Sequence, residues 1–338
     1  MKRSLRYSML LWAVMLAAFA LPARTEGDDT YSQIDRHALA APADEEQSLA
    51  GLANYLARPC KTDIEKTRAV YRWMTDRIAY DFDAFRRGGR YRNDEPETVL
   101  TARKAICEGY AGLFADLCKR MGVTAVKISG FGKGFGYRSR VTFSRTNHAW
   151  NAVQIDGKWR LIDATWGAGF IQGDKFVKRF SEFFFLTPPE TFIFTHFPQE
   201  NRWQLLDVSI TQKQFEQQPK PSEELFEMGV SAKDLRDAMS EEGFKDFVKT
   251  YSHPGANTSI ISAPVALYLQ SGTEYSFQLK SDDYGTITLI NGGKWQPLQR
   301  EGNVFRYTGT LRRGPAQIAG TLKDEQTRYH SFLEYSVR

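Results

Sequence analysis

The dipeptide Asp156-Gly157, set between two strand-like runs, constrains this chain more than any other feature. Asp-Gly is a preferred pair for a two-residue hairpin turn, because both central residues take positive φ there. A turn of that length fixes register. Ile155 must face Lys158; counting outward, Trp150 faces Asp163 and His148 faces Thr165. Side chains alternate across a strand, so His148, Trp150, Asp163 and Thr165 share one face of the sheet. His148 and Asp163 become diagonal neighbours, with Cβ atoms about 7 Å apart or less. Asp163 can then engage one imidazole nitrogen and leave the other for a nucleophile. Capping of the following turn by Asp163, with His148 filling space near Trp150, is the plainer use of the same residues.

A candidate nucleophile lies upstream. Cys107, in Lys104-Ala105-Ile106-Cys107-Glu108-Gly109-Tyr110, opens a predicted helix running to Met121. Tyr110, Leu113, Phe114, Leu117 and Met121 form its apolar face, and Gly122 is placed to end it. Unpaired amides and the positive end of the dipole favour a thiolate at such a position, and Lys104 adds a cation. A small buried residue is the other common role of an unpaired Cys. Of the five histidines, His37, His148, His196, His253 and His330, only His148 falls in a well-defined strand beside an acid.

The rest of the chain divides by pattern. Residues 24–58 read as a polar, Ala-rich leader. Thr62, with Glu65 three residues on, is a capping box for a helix whose stripe is Ile64, Thr67, Tyr71, Met74 and Ile78. Val123 to Ser129 reads as a strand, and Gly130, Gly132, Gly134 and Gly136 as a loop. Their spacing is not GxGxxG and a strand rather than a helix follows, so no nucleotide site is implied. Gln217 to Pro221 carries two prolines and reads as a boundary, with short helices between Ser222 and Tyr251. From Pro254 six strand-like runs separated by Gly, Asp and Asn predict a small antiparallel sandwich. The expected organisation is a signal peptide at 1–23, a catalytic domain at 24–216, a linker at 217–253 and a β-sandwich at 254–338.

Residues 1–23 have the order of a signal peptide. Lys2, Arg3 and Arg6 precede a short apolar run from Met9 to Leu21, and Ala23 offers a small residue for cleavage. The run falls short of the ~20 residues a spanning helix needs, though an uncleaved anchor is the competing reading. Removing it takes the formal charge from +5 to +2, so the basicity gives no reason to expect nucleic acid. A secreted or periplasmic protein without stable membrane insertion is expected. Three cysteines exclude a fully paired disulfide scaffold. Cys118 lies roughly 16 Å along the helix from Cys107, too far to bridge, whereas a Cys60–Cys118 bridge would leave Cys107 free. No metal or cofactor motif occurs. Arg86, Arg87, Arg90 and Arg92 suit either a solvated loop or an acidic, cell-wall-associated substrate.

Three segments in order resemble the transglutaminase-like superfamily. They are Cys107-Glu108-Gly109-Tyr110-Ala111, Asn147-His148-Ala149-Trp150-Asn151 and Asp163-Ala164-Thr165-Trp166-Gly167. Tyr80-Asp81, Phe185-Leu186-Thr187-Pro188-Pro189-Glu190, Trp203-Gln204-Leu205-Leu206 and Leu333-Glu334-Tyr335-Ser336-Val337 are closer to its kyphoscoliosis-peptidase-type branch. The resemblance implies an α+β, papain-related core, with the Cys helix packed on an antiparallel sheet. An all-β, immunoglobulin-like sandwich follows. It implies Cys107 as nucleophile, His148 as base and Asp163 as orienter, acting on amide bonds of a protein or peptide substrate. Trp73 and Tyr80 are the candidates for a second oxyanion donor. A non-catalytic protein-binding module on the same fold is the rival expectation.

Overall fold

A computed structural model describes residues 31–88, 94–253, 256–325 and 327–338. The signal peptide expected at 1–23, Arg90 and Arg92, and Pro254 at the expected sandwich boundary lie outside those residues.

The Thr62 capping box forms as the sequence predicts. Thr62 Oγ1 accepts from the Glu65 amide, the Glu65 carboxylate accepts from the Thr62 amide at 2.9 Å, and the helix Asp63–Arg77 follows. That helix is buried beyond a single stripe. Arg68, 3% exposed, donates to both carboxylate oxygens of Asp35 at 2.7 Å and to Glu182 at 2.6 Å. A guanidinium can be buried so deeply only because all its charge is paired. Asp35 belongs to the helix Ser32–Leu39, and a second helix, Leu49–Ala57, follows it. The stretch read as a polar leader is therefore part of the fold from residue 32. Its small and aliphatic residues, among them Ile34, Ala38, Leu52 and Leu56, lie in the main core.

At the centre is a four-stranded antiparallel sheet in the order Lys158–Ile162, His148–Ile155, Ala125–Gly132, His196–Pro198. The turn that joins the first two has φ of 51° at Asp156 and 74° at Gly157, and the register is the predicted one from Ile155 opposite Lys158 to Asn151 opposite Ile162. The strand ends there, so the expected pairs Trp150–Asp163 and His148–Thr165 do not form, because Asp163 caps the short helix Ala164–Gly167 instead. The helix Cys107–Arg120 packs on this sheet.

The glycine-rich stretch differs from the expected loop. The strand runs through Gly130 and Gly132, because the neighbouring strands come too close for side chains. A Cβ on Gly130 would sit 2.3 Å from the Phe197 carbonyl oxygen and 2.4 Å from Trp150, and one on Gly132 would meet His148 at 3.0 Å. These glycines are there for close approach, not for turning.

The C-terminal region forms two sheets. One holds Ser259–Ser262, Glu274–Lys280, Val304–Thr310 and Gln299–Glu301. The other holds Tyr284–Asn291, Gly314–Leu322 and His330–Val337 with shorter strands at its edges. Lys249–Thr250 pairs with His330–Val337, so the sheet reaches back before residue 254. Phe277 and Leu279 of one sheet share a core with Ile287, Ile318 and Tyr335 of the other. Leu225, Leu235 and Phe247 join that core from the segment read as a linker, Phe131 and Phe197 join it from the central sheet, and Phe194 joins it from the turn before the strand His196–Pro198. No helix among the described residues is long and apolar enough to cross a membrane.

Candidate active site

Cys107 is the first residue of its helix, and the N-cap residue Ile106 makes no side-chain capping bond. The first-turn amides are left without a side-chain acceptor. Lys104 does not serve the thiol as expected. Its ammonium faces Asp81 at 3.2 Å and Asp83 at 3.8 Å. Cys107, Ala111 and Ala149 form their own small buried cluster. Two alanines between helix and strand let the backbones approach. Asn151 fixes that approach by donating to the Ala111 carbonyl of the helix at 2.9 Å and to the Val126 carbonyl at 3.2 Å.

His148 begins its strand and is 7% exposed. Its Nε2 lies 2.6 Å from Asp163 Oδ2. Cys107 acts on the same ring as a hydrogen-bonding and charged neighbour, which leaves Nδ1 as the nitrogen for sulfur. Trp166 stacks on the imidazole with centroids 5.0 Å apart. Asp163, fully buried, both caps and orients. Its Oδ1 accepts from the amides of Thr165 and Trp166 at 2.8 and 3.1 Å, starting the short helix Ala164–Gly167, while Oδ2 faces His148. The two uses that sequence left as alternatives coexist on different oxygens of one carboxylate.

A residue that sequence reasoning passed over completes the group. His196 Nε2 lies 3.0 Å from the same Asp163 oxygen, and Thr195 Oγ1 lies 2.8 Å from His196 Nδ1. The Thr195 hydroxyl also lies 3.2 Å from the Phe192 carbonyl, so its one proton serves either that oxygen or His196 Nδ1, while His196 Nε2–H donates to the carboxylate. Phe192 stacks on the His196 ring at 3.9 Å. His196 occupies a three-residue strand ending in Pro198, too short to show alternation, so nothing in its local sequence marked it.

The two imidazoles titrate in opposite directions. Burial alone would lower His148, but the charge and hydrogen bond of Asp163, with Cys107, push it up to about 10. Burial takes His196 down to about 4, offset only in part by Asp163 and reinforced by the charge on His148. One carboxylate oxygen between two rings supports one imidazolium. Burial would raise Asp163, yet His148 and His196 hold it well below the usual carboxylate range. The ligand-type atoms of His148, Asp163 and His196 lie within 4.8 Å of one another, which makes them, among the described residues, the group close enough to hold a metal ion. Their short contacts are hydrogen bonds that satisfy the buried atoms as they stand.

Of the two oxyanion candidates, Trp73 is excluded. It is fully buried, and its indole N–H donates to Glu46 at 2.6 Å. Tyr80 remains. The strand Ala79–Tyr80 pairs in parallel with Lys104–Ala105, just before Cys107. Burial pushes the Tyr80 phenol up, with Cys107 as its next influence. Tyr80 and His148 also line a cavity of about 330 Å³. The other thiols are inert by placement. Cys60 donates to the Leu56 carbonyl at 3.2 Å and burial pushes it up to about 11; Cys118 lies wholly in the core, and burial raises it further. Both are free, so the Cys60–Cys118 bridge does not form.

Residues 50–164 match the transglutaminase-like superfamily. The chain is 37% identical to kyphoscoliosis peptidase of Mus musculus, over 85% of this chain and 40% of that protein. It is 36% identical to kyphoscoliosis peptidase of Homo sapiens over the same shares. Hillarin of Drosophila melanogaster is 31% identical over 75% of this chain and 31% of its own length. The chain thus spans at most 40% of the length of these relatives.

Proposed function

We propose that this chain, which belongs to the transglutaminase-like superfamily, is an exported cysteine enzyme acting on amide bonds of protein or peptide substrates. The observation that carries the reading is His148 held between Asp163 and Cys107, with one nitrogen 2.6 Å from the carboxylate and the other left for sulfur. In the proposed reaction His148 takes the Cys107 proton and the thiolate attacks the amide carbonyl. Asp163 stabilises the imidazolium that results. The Cys107 amide and the Tyr80 hydroxyl are the donors for the oxyanion. The C–N bond breaks as His148 protonates the leaving amine or ammonia, leaving a thioester on Cys107. Water then attacks with His148 as base and regenerates the thiol, which is peptidase or amidase chemistry. A primary amine in place of water makes the step a transamidation. His196 is a positioning residue in this scheme, because it holds Asp163 through the oxygen that faces His148.

Export rests on the basic, apolar and small-residue order of residues 1–23. The test of function is turnover of a library of peptide amides and glutamine-containing proteins, with and without a primary amine. Ammonia or new carboxylates report hydrolysis, and amine conjugates report transfer; Cys107→Ala should abolish both. Turnover that survives Cys107→Ala would sink the assignment. A wild-type protein with neither turnover nor a reactive Cys107 would be a protein-binding module.

A further inference from the structure

The cavity beside His148 carries charges that the acyl-transfer scheme does not use. Lys220, Arg179 and Glu223 line it together with Trp166. None of the three is held in a close salt bridge among the described residues, although Lys220 and Arg179 both act on Glu223 as opposite charges. Lys220 Nζ lies 5.3 Å from the Trp166 ring centre, and Trp166 in turn stacks on His148 at 5.0 Å. Those two separations bound the ammonium to within roughly 10 Å of the imidazole, a span of about three residues of extended chain.

Lys220 is presented, not dangling. It sits between Pro219 and Pro221, both buried, while its own side chain is open to solvent within the cleft. Two prolines fix φ on either side of it. The segment is anchored from below by Lys133, whose buried ammonium donates to the carbonyls of Phe215 and Gln218 at 2.7 and 2.8 Å. Burial lowers the Lys220 pKa, opposed by Glu223 and Glu224, and raises Glu223 to about 7, opposed by Lys220 and Arg179. The cavity wall itself presents Lys220 and Arg179 against Glu223, while Glu224 adds its charge beside Lys220. The mouth is aromatic: Phe85, Phe135 and Phe170 are three of the nine large apolar side chains left exposed among the described residues. An apolar mouth with a fixed cation inside suits an extended peptide bearing an anionic side chain.

Resting on the acyl-transfer reading above, we propose that the cleft selects peptides that carry a carboxylate within two residues of the reacting amide. Lys220, supported by Arg179, receives that carboxylate on the Trp166 wall. Selectivity would then come from the proline-bounded segment at 219–221, outside the matched residues 50–164.

The test is protection of Cys107 from iodoacetamide in the full mature protein. The protecting ligands are pentapeptides with a central Gln and either Asp or its isostere Asn at each of the two positions on either side. At one position at least, the Asp peptide should protect about tenfold better than its Asn partner. Lys220→Met should bring that ratio to about 1 and leave protection by the Asn peptide unchanged. Glu223→Gln, which removes the repelling carboxylate, should raise the ratio by about threefold, so the proposal stands or falls even if Lys220→Met does not fold. Equal protection by Asp and Asn peptides in the wild type, with Cys107 still reactive, overturns the selectivity and leaves the enzyme reading intact. A Cys107 that does not react in the free protein overturns both.

Discussion

The central sheet and the C-terminal sandwich are both built by antiparallel pairing, but they bury different things. Among the described residues the sandwich buries Phe277, Leu279, Ile318 and Tyr335 with only four hydroxyl or amide residues, Ser281, Thr288, Asn291 and Thr321, and no charged group. The central sheet and its flanks bury Lys133, His148, Asp163 and His196. Buried ionisable groups cost stability unless each is paired, so a fold keeps such a cluster where it performs chemistry. One region is organised for stability and the other gives up some stability to hold a proton in a chosen place.

Substitutions should separate the two. Cys107→Ala should cost roughly 10⁴-fold or more in turnover with little change in unfolding free energy. Phe277→Ala, in the sandwich, should cost about 3–5 kcal/mol of stability yet leave Cys107 reactivity in the folded fraction unchanged. Denaturant unfolding and steady-state kinetics on both variants would blur the distinction if either substitution moved both quantities. A smaller effect is expected at His196. His196→Phe keeps the stack on Phe192 but removes the hydrogen bond to Asp163. The turnover number should fall roughly 10- to 100-fold with KM little changed, and the pH–rate profile should shift. His196→Gln, which retains a donor, should recover part of the loss; a purely structural role for His196 would lower Tm without moving the profile.

Acid should expose the smallest difference. His196 is neutral in the fold with its pKa down to about 4, so the unfolded chain binds a proton that the fold refuses. That contribution to stability is present above the unfolded value near 6.5 and is lost as pH falls from there to about 4. Asp163, held low, adds a loss that begins below the ordinary carboxylate range. His148 runs the other way: its raised pKa stabilises the fold below about 6.5, and that stability is lost as pH rises through about 10. Glu223, raised to about 7, works against this loss in the same range, so the effect is read as a difference: across pH 4 to 6.5 the thermal melts of the wild type should fall relative to those of His196→Phe as the pH drops. An unchanged slope in that variant would remove His196 from the titrating group.

What could be read from the residues follows the same division. The Thr62–Glu65 box, the Asp156-Gly157 register, the start of the Cys107 helix and the main sandwich strands are local patterns, and each appears as local rules require. His196, Lys133 and Lys220 act through contacts with residues distant in sequence, which periodicity does not report. Gly130 and Gly132 misled for a related reason. Their local signal is a loop, but the close approach of Phe197, Trp150 and His148 makes them strand. Lys104 looked like the thiol's cation by adjacency alone, while Asp81 and Asp83 hold it in space.

The assembly of Cys107, His148 and Asp163 is tested most directly by the rate of Cys107 alkylation by iodoacetamide between pH 5 and 9, in the wild type and in His148→Ala. Cys60 and Cys118, whose thiols burial pushes up, serve as controls within the same molecule. Mass spectrometry of the labelled peptides should show Cys107 modified well ahead of both at pH 6 to 7. His148→Ala should slow that reaction and move its dependence to higher pH, because the imidazolium that stabilises the thiolate is gone. A Cys107 that labels no faster than Cys118 in the folded protein, or a profile unchanged in His148→Ala, would mean that sulfur and imidazole do not act as a pair.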